Sequence, residues 1–320
     1  MAYWLFEQIS DPSREPQFAV QSALSWMGAL RLEIEASHGA TAAEQFQSCA
    51  THFKQSILPT TVSVKNDEIF EPLFASLNYC LGAILLAESC STHSCIQPTA
   101  IVNWYYSVYA AVRAMFASSA QSVNDNHTSA ANIFATGIRQ QLPHPLNMVA
   151  HRKKGSQAYE PRLPDFASAA PFDLQKPIAG SRSNAQGMLL QYLKGSAKFY
   201  VDHAKEDLPF KVFNTKVAKD ALYKRLRDQV GFLHCAFRYR GKANYRDAIY
   251  LTYGSKIPHG SIAFLDNLCA VSRFVFVLAS AYVQRRVGTK STAEFSKDIS
   301  ANLRGVANGP QSLLFWKDLF

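Results

Sequence analysis

Apolar residues recur at three- and four-residue spacing through most of this chain, a period that points to packed α-helices and little else. Residues 18–36, FAVQSALSWMGALRLEIEA, hold the pattern throughout. Residues 67–88 hold it too, with Asp67 and Glu68 where the positive end of a helix dipole favours acid. Pro98 and Thr99 open a third run, TAIVNWYYSVYAAVRAMFASSA, since proline fits a first helical turn. The same period predicts helices over 129–142, 184–204, 215–238, 261–286 and 292–304, ahead of an apolar tail, LLFWKDLF. Few runs alternate as strands do, and no internal repeat stands out. An all-α bundle is therefore the expected fold class.

One stretch breaks the texture. From 143 to 182 prolines recur at 143, 145, 161, 164, 171 and 177 around a basic HRKKGSQAYEPR, which predicts an irregular Pro-rich insertion or a pair of short strands. The segments then divide as an N-terminal helical part (1–66), a helical domain (67–290, with the insertion at about 143–182) and a C-terminal helix with its tail (291–320). The most apolar run, around SRFVFVLASAYV, reads as a core helix too short to span a bilayer, so no membrane association is expected.

The formal charge of +9 and pI near 9.2 favour polyanionic partners, nucleic acid or an anionic membrane surface. The opening MAYWLFEQISDPSREP lacks a basic start followed by an apolar block, and most of the six cysteines sit in apolar surroundings. A cytoplasmic, reducing location is the expectation. There is no phosphate-cradling glycine loop followed by Lys-Ser/Thr, no GxGxxG after a strand, and no GxSxG or HExxH. CSTHSC offers Cys90, His93 and Cys95, but no second ligand pair completes a zinc site, so neither metal nor cofactor is expected.

RLRDQVGFLH, from Arg225 to His234, carries the chemistry. If 215–238 is one helix, Arg227 and His234 lie almost two turns apart on one face, at about 3.6 residues per turn. Gly231 then clears the backbone between them and Arg238 extends the stripe, while Asp228 adjoins Arg227 and can orient it. An arginine matches phosphate oxygens with two donors, and a histidine near its pKa moves protons at neutral pH. RNA cleavage by 2′-hydroxyl attack needs both services. A single pair supplies too little for both acid and base, and two copies across a dimer supply enough.

The helix NWYYSVYAAVRAMFAS, with Tyr105, Tyr106, Ala110, Ala111 and Arg113, resembles the second helix of the HEPN family (higher eukaryotes and prokaryotes nucleotide-binding). RDQVGFLH is similar to the HEPN ribonuclease motif, in which an Arg and often a polar residue precede a His by a few positions. The resemblance spans roughly 67–286 and departs from the family in its long insertion, in an Asp at 228 where Asn or His is usual, and in the basic-aromatic block that follows. It implies a HEPN-like helical bundle that dimerises and acts as a metal-independent endoribonuclease in toxin, antiviral or RNA-processing settings, with a possible antitoxin or defence-system partner. Arg227 would bind the scissile phosphate, His234 would act as general base or acid, and Asp228 would position Arg227. The alternative within the family is an inactive module that binds RNA, a nucleotide or a protein.

The block FRYRGKANYRDAIY has a reading of its own. Arg238, Arg240, Lys242 and Arg246 alternate with aromatic rings, Tyr245 among them, a pattern suited to single-stranded RNA through phosphate contact and base stacking.

Overall fold

The computed structural model describes residues 16–60, 65–89, 96–122, 126–162, 181–244, 261–303, 311–317 and 319. Among them are ten α-helices and one three-stranded sheet, so the all-α class holds with a small β addition.

Helix α1 (Pro16–His38) buries Ala23, Trp26, Met27, Leu30 and Ile34, the three- and four-residue steps read from the sequence. Helix α2 (Ala42–Ser56) was not foreseen. Its entry is fixed by a capping box: Thr41 Oγ1 accepts the Glu44 N–H at 3.2 Å, and the Glu44 carboxylate accepts the Thr41 N–H at 2.9 Å. Gln45, Cys49 and Phe53 then face the core at every fourth position. Thr41→Ala is expected to cost about 1 kcal/mol, read as a lower denaturation midpoint at unchanged slope.

Helices α3 (Asn66–Ser89) and α4 (Gln97–Ser118) pair closely because small polar residues meet at the seam. Ser76 Oγ donates to the Ser107 carbonyl and Ser107 Oγ to the Ser76 carbonyl, each at 2.9 Å, so neither buried hydroxyl is orphaned. Helix α9 (Ser261–Val287) runs through the centre against α1 to α4. Its apolar stretch is longer than the sequence reading allowed. Ala263–Val287 spans 25 residues at mean hydropathy 1.5, and Asn66–Glu88 in α3 is likewise long and apolar enough to cross a membrane. In α9, 72% of an 18-residue window of that stretch is buried inside the protein, which makes it the core helix expected.

The outer segments share this core. Trp26 stacks on Tyr192 with ring centroids 4.4 Å apart and meets Trp104 edge-on at 5.6 Å, while Leu313, Trp316 and Leu319 of the tail are buried in the same cluster. Helices α5 (His127–Thr136), α6 (Arg182–Glu206), α7 (Lys216–Arg225), α8 (Phe232–Asn244) and α10 (Thr289–Asn302) complete the bundle.

The Pro-rich stretch contributes the expected strand pair, β1 (Val149–Arg152) antiparallel to β2 (Tyr159–Arg162). A third strand, β3 (Gln229–Gly231), lies where the sequence predicted uninterrupted helix from 215 to 238. It pairs with β1 in the register Val149↔Gly231, Ala150↔Val230 and His151↔Gln229. Sheet pairing and the burial of Val230 outweigh helix continuation there.

A buried carboxylate ties the insertion and α6 to α1. Glu33 is fully buried and meets Arg182 Nη2 at 2.6 Å, His144 Nε2 at 3.1 Å and Gln186 Nε2 at 3.3 Å. Burial alone raises its pKa, but the bonds from His144, Arg182 and Gln186 outweigh that and hold the carboxyl at about 2.

Candidate active site

The break between α7 and α8 builds the site. Leu226 leaves α7 in extended conformation and packs beside Leu222 and Val201, which turns the chain toward the sheet. The backbone of 227–228 is then held from two sides. Arg152 N–H donates to the Asp228 carbonyl at 2.9 Å, and Tyr159 Oη donates to the Arg227 carbonyl. At Gly231 an added Cβ would stand 3.3 Å from the Met148 carbonyl oxygen, so glycine serves close sheet approach. The sequence reading had it clear the backbone on a helix face.

His234 sits in the first turn of α8, third from its start. Its Nδ1 accepts the Gly231 N–H at 3.3 Å, the service a glutamate or glutamine performs in a capping box. An acceptor at Nδ1 places the ring proton on Nε2, which donates to Asn132 Oδ1 at 3.0 Å. The same oxygen accepts Arg227 Nε–H, also at 3.0 Å. Asn132, on α5, thus joins two side chains that a strand separates along the chain. The Arg227 guanidinium lies over the Tyr200 ring at 4.3 Å, and Tyr200 meets the His234 ring edge-on at 5.3 Å while donating its hydroxyl to the His234 carbonyl.

Arg227 and His234 therefore converge, but not as two positions on one helix. Among the described residues nothing bonds the terminal Nη1 and Nη2 of Arg227. Asp228 does not orient Arg227. Its carboxylate takes Arg152 Nη2 at 2.8 Å, because the β1–β3 pairing brings Arg152 alongside. His234 is also far from a half-protonated ring. Burial, then the neighbouring Arg227 charge, push its pKa down to about 3, so it is neutral at pH 7 and presents an N–H donor. Tyr200 is pushed upward by burial and stays protonated.

No family model, characterised protein or solved structure matches this chain, so the site rests on its own geometry.

The basic block divides over two sides of α8. Arg238 faces α6, over Tyr192 and Phe199 at 5.4 Å each, and donates to Ser196 Oγ at 3.1 Å. Arg240 faces α4, caged by Tyr105 at 4.9 Å, Phe237 at 5.1 Å and Tyr106 at 5.8 Å. The Lys242 side chain, Tyr245 and Arg246 lie outside the described residues, as do Cys90, His93 and Cys95. Asn132, Tyr200 and Tyr159 escaped the sequence reading, and no local pattern in the sequence marks any of them.

Proposed function

We propose that this protein is an RNA-directed, HEPN-like endoribonuclease that cleaves by 2′-hydroxyl attack. The observation that carries the reading is the shared acceptor: one Asn132 oxygen gathers Arg227 Nε–H and His234 Nε2–H and leaves the outer edge of the guanidinium unbonded among the described residues. The outer Arg227 N–H groups, with the guanidinium fixed at that point, suit the extra negative charge that a phosphodiester gains on its non-bridging oxygens as the 2′-oxygen attacks. Burial depresses His234 most, and a bound phosphate offsets the second cause, the Arg227 charge, so substrate shifts the ring toward protonation by that lesser share. The proton leaving the 2′-hydroxyl and the proton reaching the departing 5′-oxygen need two groups, which two copies of the site in a homodimer supply. Metal independence and a toxin or defence setting, with its antitoxin or defence-system partner, belong to the same proposal through the HEPN resemblance, as does action in the cytoplasm.

The test is mixed RNA incubated with purified protein under metal chelation, with product ends analysed. Fragments ending in 2′,3′-cyclic phosphate support the reading, and intact RNA refutes it. A second reading has its own observation: a neutral His234 whose Nδ1 is occupied by backbone suits an RNA-binding module without catalysis. In that case RNA stays intact but binds, with affinity that falls steeply as salt rises.

A further inference from the structure

The packing of α5 on α8 has a second end. The Asn132–Arg227–His234 constellation occupies one end. At the other, His127 of α5 stacks on Phe237 of α8 with ring centroids 5.8 Å apart, and Tyr105 Oη lies 2.8 Å from His127 Nδ1. Arg240 lies beside them, donating from Nη1 to Tyr106 Oη at 3.3 Å, and its Nε is buried with no partner among the described residues. Tyr106 in turn stacks on Tyr79 of α3 at 5.4 Å and 29°. Tyr79 is 39% exposed, and among the described residues no other Phe, Tyr or Trp is exposed. Along α8 the rise from His234 to Arg240 is about 9 Å, a helix rise of roughly 1.5 Å per residue taken over that interval.

We propose that Tyr79 and Tyr106, with Arg240 behind them, form a base-stacking platform for a nucleotide of single-stranded RNA flanking the phosphate held at Arg227. A ring with one face open to solvent and its other face backed by a stacked ring and a cation offers what unpaired bases bind, without reading their identity. The overall charge of +9 favours the polyanion over a neutral or basic protein surface. The inference rests on the RNA-directed reading above and adds to it the place where a base sits.

The experiment measures binding of a fluorescent 2′-O-methyl oligoribonucleotide, which lacks the attacking hydroxyl, and of an abasic oligonucleotide of equal length. Tyr79→Ala is expected to weaken binding of the first by about tenfold and of the second hardly at all, and Tyr79→Phe to bind like wild type. Equal affinity of wild type and Tyr79→Ala for the base-containing strand overturns the platform. So does equal loss on both strands, or a change of oligomeric state without a change of RNA affinity, which would make this face a contact between copies. Cleavage of unmodified RNA is followed separately. Base-dependent binding without cleavage refutes the nuclease and leaves the platform standing, whereas cleavage with no Tyr79 effect does the reverse.

Discussion

Arg227→Ala is expected to lower RNA cleavage about 10²–10³-fold, the usual effect of removing one fixed donor from a developing oxyanion. The fold should survive, because the side chain is only half-buried and touches the core only through the Tyr200 ring it covers, its hydrogen bond going to Asn132. Arg227→Lys is not expected to rescue. An ammonium has no planar edge to lie on Tyr200 and no Nε–H to share Asn132 while its terminal donors face outward. His234→Ala should reduce cleavage at least as much, but it also removes the acceptor for the Gly231 N–H, so a modest loss of stability accompanies it. Asn132→Ala separates gathering from chemistry. It leaves both functional groups in place without their common anchor, and a loss approaching that of Arg227→Ala identifies positioning as the source of the activity. Wild-type cleavage rates in all three alanine variants refute the site.

Arg182→Met carries the second large effect. Among the described residues it leaves the fully buried Glu33 carboxylate with His144, Gln186 and the more distant Ser37 hydroxyl. Breaking a fully buried pair from one side costs roughly 3–5 kcal/mol; because Arg182 is half exposed and the other bonds remain, the loss here should be about 2–3 kcal/mol. The pH dependence follows from the direction of the shift. The folded carboxyl titrates at about 2 against an ordinary 4.5, so the stabilisation is complete above 4.5 and disappears as pH falls through about 2. The difference between wild type and Arg182→Met in urea should therefore be largest near pH 6–7 and shrink below pH 4.5. An equal difference at pH 3 and pH 7 would assign the loss to packing instead of charge.

Much of the helical frame was legible because burial imposes its period. The faces of α1, α4 and α9 follow directly from the spacing of residues such as Trp26, Leu30 and Ile34. Helix α2 escaped because its apolar content is low, although Thr41 and Glu44 spelled its capping box. The sequence reading carried helix through 229–231 because QVG is too short to show a strand period, and what decides it, the β1 edge, lies some eighty residues earlier. For the same reason Arg227 and His234 could be chosen as a pair while the means of bringing them together stayed hidden. A lone asparagine in HTSAANIFAT shows no pattern, and only the packing of α5 on α8 places its oxygen between the two. Asp228 was misassigned because sequence adjacency suggested Arg227 as its partner, whereas strand pairing delivered Arg152.

If Asn132 gathers Arg227 and His234 into one unit with the outer Arg227 edge free for phosphate, the titration of the His234 ring, followed by NMR, reports it. In the free protein the ring should stay neutral with its proton on Nε2 from pH 8 down to pH 5, and on binding uncleavable 2′-O-methyl RNA its pKa should rise from about 3 as phosphate offsets the Arg227 charge. A ring that titrates near 6.5 in the free protein, or one whose titration is unmoved by bound RNA, would contradict it.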